Sequence, residues 1–193
     1  LQIDNQITVE LWINPAGGAR IIGKYDDQLK SGWRIHYYNN RFAFGVSDGI
    51  TDHDLYSTIV SVANQWHHVA GTYSKSSGVL RIYVDDVVTE ENGFTSGVLL
   101  NTKDNLNIGR FEAYGIAYGK ATLDEVRIWN IERSGEDIKT SKYLHVHNNA
   151  KGLVAYYPFD QGIAGGNNTG IIKADDVTAN NNDGTLHNFA LNG

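Results

Sequence analysis

The chain has 193 residues, no cysteine, no methionine and a formal net charge of −6. A length of this order suits one large all-β domain whose core buries roughly 70% of the unfolded surface without disulfides, and the missing cysteines exclude a disulfide scaffold, a thiol nucleophile and a cysteine zinc site. The acidic balance without a Lys/Arg cluster argues against nucleic acid and anionic membranes as partners, no apolar run is long enough for membrane insertion, and a chain without Met is expected to be a piece of a longer protein.

Abundant Gly (21), scarce Pro (2) and aromatics that are mostly Tyr (11) point to short strands joined by Gly, Asn and Asp turns. Residues 6–14 alternate Ile7, Val9, Leu11 and Ile13 against Thr8, Glu10 and Trp12, the period of a half-buried strand. Residues 32–38 set Trp33, Ile35 and Tyr37 against Arg34, His36 and Tyr38, and residues 41–46 put Phe42, Phe44 and Val46 on one side. Segments 65–73, 79–88, 105–111 and 120–130 follow the same rule, with turn signals at Asn39-Asn40, Ser47-Asp48-Gly49, Ser76-Ser77-Gly78 and Glu91-Asn92-Gly93. This punctuation predicts an all-β, two-sheet antiparallel jellyroll sandwich. One short helix is predicted over residues 134–143, with Ser134 as cap and Glu136 and Asp137 in the first turn. Residues 1–143 thus form a body and 144–151 a linker. Residues 152–193 form a tail, with strands at 153–159 and 184–191 around a Gly/Asn/Asp-rich loop. Two strands cannot stand alone, so the tail must pack on the body or on another chain.

Four stretches carry a family resemblance: Ile7-Thr8-Val9-Glu10-Leu11-Trp12-Ile13, Trp66-His67-His68-Val69-Ala70-Gly71-Thr72-Tyr73, Leu80-Arg81-Ile82-Tyr83-Val84-Asp85 and Leu123-Asp124-Glu125-Val126-Arg127-Ile128-Trp129-Asn130. In this order, and followed by a capped helix, they resemble the laminin-G-like, pentraxin-related domains of the concanavalin A-like lectin/glucanase superfamily. The family places Asp-Gly at the hairpin where this chain has Asp85-Asp86, so that turn is expected to be longer or of another type. The tail resembles the opening strands of such a domain, in Gly152-Leu153-Val154-Ala155-Tyr156-Tyr157-Pro158-Phe159-Asp160 and Asn180-Asn181-Asn182-Asp183-Gly184-Thr185-Leu186. A cut from a tandem array, a circular permutation and a strand donated to a neighbouring copy all explain that order. Tails of this sort are similar to those of secreted multidomain bacterial proteins, which implies an extracellular or cell-surface location.

Catalysis finds little support. A jellyroll glycosidase needs two carboxylates facing one cleft, about 5–5.5 Å or 6.5–9.5 Å apart. Asp124 and Glu125 are adjacent, so on a strand they point to opposite faces, and no Gly-x-Ser-x-Gly elbow is present. His67 and His68 likewise face opposite ways, which predicts one core histidine and one surface histidine. His145 and His147 share a face of the linker, which is read as solvated.

In jellyroll glucanases of similar sequence, the residue matching Asp124 binds a structural calcium together with carbonyls of the opening strands. The resemblance therefore implies Ca²⁺ near Asp124, Asp160 and Gly184, an ion that would tie tail to body. The loop with Asp48, Asp52 and Asp54, and that with Asp175-Asp176 and 180–183, are further acidic candidates read mainly as solvated. Sugar rings stack on exposed aromatics while polar side chains bond their hydroxyls. The candidates for a glycan face are Tyr25, Trp33, His36, Tyr38, Arg110, Tyr114 and Tyr118, although Trp33 shares a face with Ile35 and Tyr37. The expectation is non-catalytic recognition of a polysaccharide. Adhesion to a protein or to a neighbouring copy through the tail is the second reading, and a jellyroll glycanase or lyase the third.

Overall fold

The computed structural model describes residues 1–94, 97–111, 117–163 and 165–187. In chain order the strands are β1 (Gln6–Pro15), β2 (Ala19–Asp26), β3 (Ser31–Tyr38), β4 (Arg41–Ser47), β5 (Asp52–Tyr56), β6 (His67–Ser74), β7 (Val79–Val84), β8 (Val87–Asn92), β9 (Asn107–Ile108), β10 (Arg110–Phe111), β11 (Ala117–Tyr118) and β12 (Ala121–Trp129). Helix α1 (Gly135–Ser141) follows, then β13 (Leu153–Tyr157), β14 (Lys173–Ala174) and β15 (Gly184–Thr185).

Two antiparallel sheets pack face to face as a jellyroll sandwich. The six-stranded sheet runs β13-β12-β1-β6-β7-β8 and the five-stranded sheet β5-β4-β3-β2-β9, while β10–β11 and β14–β15 form ribbons. Period-two alternation builds the core. Ile7, Val9, Leu11 and Ile13 of β1 face Trp33, Ile35 and Tyr37 of β3 and Phe42, Phe44 and Val46 of β4, all buried. The sheets approach closely at Gly71, where a Cβ would lie 2.3 Å from Cγ of Phe44, so this site admits no side chain.

Two strands of the five-stranded sheet, and the two-residue ribbon strands β11 and β14, lie where none is predicted. In β2, apolar Ile21 and Ile22 are adjacent and a bulge between Arg20 and Ile22 breaks the alternation. The other, β5, is an edge strand rich in aspartate, which reads as a loop. Segment 79–88 is a hairpin rather than one strand. Asp85 and Asp86 sit at φ 48° and 72°, two central residues with positive φ between Val84 and Val87. The turn is therefore the tight two-residue form, not a longer one, and both aspartate side chains have partners. Asp85 accepts from the His68 backbone N–H at 2.9 Å and contacts Nδ1 of His67 at 2.6 Å, and Asp86 pairs with Lys142 at 2.7 Å.

Neither histidine is on the surface, which corrects the predicted division. His67 lies against Phe42 in the core, and His68 is covered by Trp12. Burial, helped by Lys142 and Arg127, pushes the His68 imidazole down to about 3, so it is neutral at pH 7.

Helix α1 starts at Ser134, whose Oγ accepts from the Asp137 N–H at 3.1 Å. It lies across the outer face of the six-stranded sheet: Ile138 is buried, the Lys142 carbonyl accepts from Trp12 Nε1 at 2.8 Å, and Gly135 abuts the Tyr83 ring. The tail returns to the same body. There β13 pairs with β12, Val126 opposite Tyr157, and Ala155, Tyr157 and Ala174 enter the core. The final strand is two residues long, Gly184–Thr185, where 184–191 is predicted, and residues 188–191 lie outside those described.

Candidate functional site

With α1 roofing one sheet, the outer face of the other is the surface left to read. Register sets it in rows. Asn107, Gly23, Arg34, Gly45 and Asp54 lie side by side across β9, β2, β3, β4 and β5, and Arg20, His36, Ala43 and Tyr56 form the row beside them. Arg34 is the centre. It is buried along its whole length, pairs with Asp54 at 2.7 Å and Asp52 at 3.4 Å, and stacks over the Tyr25 ring at 4.4 Å. Gly45 makes room for this: a Cβ there would fall 2.0 Å from Asp54 Oδ1.

The charges are held in place. Burial opposes the guanidinium charge, yet Asp54 and Asp52 more than offset it and raise the Arg34 pKa. Burial likewise opposes ionisation of Asp52, but donors from Ser47 (2.6 Å) and Tyr25 (2.8 Å), with Arg34 and Lys30, keep its carboxyl below the usual range. Burial also pushes the Tyr25 phenol up, and the bond to Asp52 adds to it. At one end His36 Nε2 lies 3.2 Å from Tyr56 Oη, its imidazole lowered by burial and by Arg34 and Arg20. Tyr38, 58% exposed, and Tyr56, 40% exposed, stand there as open rings.

Of the predicted glycan residues, Tyr25, His36 and Tyr38 come together on this face. Tyr118 and Arg110 pair in the β10–β11 ribbon, which crosses β2 so closely that Gly119 abuts the Arg20 carbonyl. Trp33 is corrected: it points between the sheets and is fully buried, as its alternation with Arg34 dictates. Tyr114 lies outside the described residues. Arg34 and Tyr56 are not among the predicted site residues, and Asp52 and Asp54 are predicted only as an acidic metal candidate read mainly as solvated, not as part of a glycan face. Arg34 shares the alternation of His36 and Tyr38, a signal that could have found it; the others sit on the edge strand read as a loop.

The acidic loops divide similarly. Asp52 and Asp54 serve Arg34, while Asp48 caps a turn through the N–H groups of Ile50 and Thr51. His53 and those amides hold the Asp48 carboxyl down to about 2. Near the predicted metal site, donor atoms of Glu125, His145 and Asp160 lie within 4.8 Å of one another. Burial raises the Asp124 carboxyl, and repulsion from Glu125 and Asp160 adds to it. Gly184 pairs with Ala174 in the β14–β15 ribbon.

The profile of a laminin G-type family, described as the concanavalin A-like lectin/glucanases superfamily, matches residues 1–139. Among solved structures the chain is similar to a proposed carbohydrate binding protein from Bacteroides ovatus, with a TM-score of 0.74 and 21% identity over 96% of this chain and 53% of that one. It is also similar to the heptameric SAP-like pentraxin of Limulus polyphemus, with a TM-score of 0.56 and 16% identity over 71% and 69% of the two chains. The binding domain of botulinum neurotoxin DC in complex with SialylT gives a TM-score of 0.55 and 16% identity over 70% and 34%. At such identities these likenesses show the fold. Among curated proteins, the N,N-dimethylformamidase beta subunit of Alcaligenes sp is 27% identical over 103 residues, 48% of this chain and 13% of that subunit. The chain thus spans about half of the Bacteroides ovatus chain and a small part of the amidase subunit.

Proposed function

The chain belongs to the concanavalin A-like lectin/glucanases superfamily, and from that footing we propose that it is a non-catalytic module whose five-stranded face binds polysaccharide. The observation that carries this is the meeting of open rings, Tyr38 and Tyr56, with a fixed lattice of donors and acceptors, Arg34, Asp52, Asp54 and His36, on the sheet face that α1 leaves uncovered. Pyranose C–H faces suit the rings, and sugar hydroxyls both donate and accept. A carboxylate that Arg34, Ser47 and Tyr25 keep ionised accepts hydroxyl hydrogens well, and Asp52 does not carry the raised shift that a glycosidase acid needs. The carbohydrate-binding description of the Bacteroides ovatus protein supports the same ligand class. A polysaccharide ligand fits an extracellular or cell-surface setting; among the described residues no helix is long and apolar enough to cross a membrane.

Tyr38→Ala and Tyr56→Ala are each expected to weaken retention on the bound polysaccharide five- to tenfold, about 1 kcal/mol for one stacked ring, with unchanged melting. Affinity electrophoresis over a polysaccharide panel reads this. Undiminished retention in both variants, on every glycan that the unaltered protein binds, rejects the face.

Calcium is a separate proposal. Asp124, Glu125 and Asp160 offer crowded carboxylate oxygens, and a hard cation would relieve the repulsion that raises Asp124. Tyr156 and Arg127 already hold one Glu125 oxygen, which orients the other. Ca²⁺ at 100 times its dissociation constant would add about 2.7 kcal/mol of stability, so chelation is expected to lower the melting temperature. A melt unmoved by complete chelation and by added Ca²⁺ removes the ion.

A further inference from the structure

On the far side of the molecule from the five-stranded face, beyond the C-terminal end of α1, a pocket of about 370 Å³ opens over β1 and β12. Its size is at the lower end of small-molecule sites, roughly 300–1,000 Å³, room for one or two sugar rings. Trp12 forms a fixed wall. Its indole N–H is tied to the Lys142 carbonyl, and its ring is wedged between His68 and Tyr143 at 5.2 Å centroid distances. Trp66, 46% exposed, and Tyr143, 75% exposed, complete the aromatic lining. Two large rings left in water beside a third, around one hollow, leave unused the burial that elsewhere in this protein places aromatics in the core.

The floor is made of acceptors. β1 and β12 set Asp124 directly beside Trp12, and an irregular register there, with Glu125 at φ 52°, brings both carboxylates to one pocket, which corrects the opposite faces that plain strand alternation predicts. One Asp124 oxygen accepts from the Glu125 N–H at 3.0 Å, and its carboxylate makes no ion pair among the described residues. Glu125 gives one oxygen to Arg127 and to Tyr156 Oη, leaving the other. Of the basic side chains that line the pocket, Lys142 is held by Asp86 at 2.7 Å and His145 lies 3.8 Å from Asp160, whose carboxylate adds a further negative charge nearby. Such a floor welcomes hydroxyl donors and repels anions.

We propose that this pocket is a second sugar site, selective for a neutral pyranose whose ring lies against Trp66 and Tyr143 and whose vicinal hydroxyls donate to Asp124 and Glu125. The site stands apart from the five-stranded face and does not depend on it; it shares Asp124 and Glu125 with the calcium proposal, so ion and sugar are alternatives for those oxygens, and titration in chelator separates them. The probes are methyl glycosides of glucose, galactose, mannose and xylose, with glucuronic acid and glucose 6-sulfate as anionic counterparts. They are titrated into the full chain in chelator, with the Trp12 and Trp66 indole N–H signals followed by NMR.

At least one neutral glycoside is expected to move the Trp66 signal saturably and the anionic sugars to leave it. Tyr143→Ala and Trp66→Ala, read at the Trp12 signal, weaken binding at least tenfold, Asp124→Asn about fivefold, and Tyr38→Ala not at all. A response lost with Tyr38→Ala assigns binding to the five-stranded face alone and overturns the pocket. No saturable shift with any neutral probe overturns it too, as does equal binding of the anionic sugars or binding that requires added Ca²⁺. Pocket binding together with polysaccharide retention that Tyr38→Ala and Tyr56→Ala leave intact would uphold the pocket and reject the face. Trp66 and Tyr143 are exposed enough that their replacement tests binding rather than folding.

Discussion

Replacing Glu10 with alanine is expected to destabilise the fold by about 3 kcal/mol, the lower end of the range for breaking a buried ion pair. Glu10 is fully buried beneath the segment that leads into α1. Its Oε1 accepts from Arg133 Nη1 at 2.5 Å and from Trp129 Nε1 at 3.0 Å, and lies 3.8 Å from Arg127. Burial raises the carboxyl, while Arg133, Arg127 and Trp129 pull it back. Deleting it leaves a void and two guanidinium groups facing one another. The cost stays near the lower end because each arginine keeps other partners: Arg127 holds Glu125 and the Ser141 carbonyl, and Arg133 the Asp137 carbonyl. Glu10→Gln should cost less, about 2 kcal/mol, because it keeps the hydrogen bonds but removes the charge that faces two guanidinium groups. Its amide oxygen serves Arg133 and Trp129, and its NH₂ takes the place of Oε2, which lacks a hydrogen-bond partner. Urea denaturation of both variants reads the difference. Equal midpoints for alanine and glutamine would show that Glu10 does not bridge the two arginines.

Glu10 also marks where sequence reading stops. Its alternation with Val9 and Leu11 correctly turns it to the outer face of β1, the face that reads as solvated. What buries it is 123 residues away, since Arg133 and the helix cross that face, and no local period carries such information. The core strands were legible for the converse reason: each needs only its own alternation to choose a side, so Trp33 or Phe42 follows from its neighbours. Two strands hid from that rule. The bulge in β2 sets Ile21 and Ile22 side by side, and β5 spends its outward positions on Asp52 and Asp54, whose partner Arg34 is two strands away. Half of the candidate face is built on that unread edge. Hence Tyr25, His36 and Tyr38 are legible as glycan residues, Asp52 and Asp54 read only as an acidic loop, and Tyr56 does not stand out. At the Asp85-Asp86 turn, the departure from the family's Asp-Gly was legible but its meaning was not. The second aspartate sits at a positive φ and its carboxylate holds Lys142, the residue whose carbonyl also fixes Trp12.

The tail depends on a second buried carboxylate, and Asp176→Ala is expected to cost about 4 kcal/mol. Asp176 Oδ1 accepts from the N–H groups of Tyr156 and Thr178, both at 3.0 Å; Oδ2 accepts from the Asn182 N–H at 2.9 Å and from Thr178 Oγ at 3.0 Å. Alanine leaves three backbone donors in a buried place without partners, at about 1–3 kcal/mol each where water cannot reach. The estimate stays below their sum because the loop can open to solvent. Asparagine is a sharp control. Its NH₂ can face Thr178 Oγ only from the oxygen that also serves Asn182, so at least one backbone amide loses its acceptor, and it should cost more than half as much as alanine. Asp183→Asn should be mild, because Asp183 lies nearer the surface and accepts from one amide, that of Asp176. Hydrogen exchange localises the effect: the Tyr156 amide, which joins the loop to β13, should lose protection in Asp176→Ala before the amides of β1 and β6 do. If all three exchange together, the tail and body unfold as one unit, and the carboxylate stabilises the whole sandwich rather than clasping the tail to it.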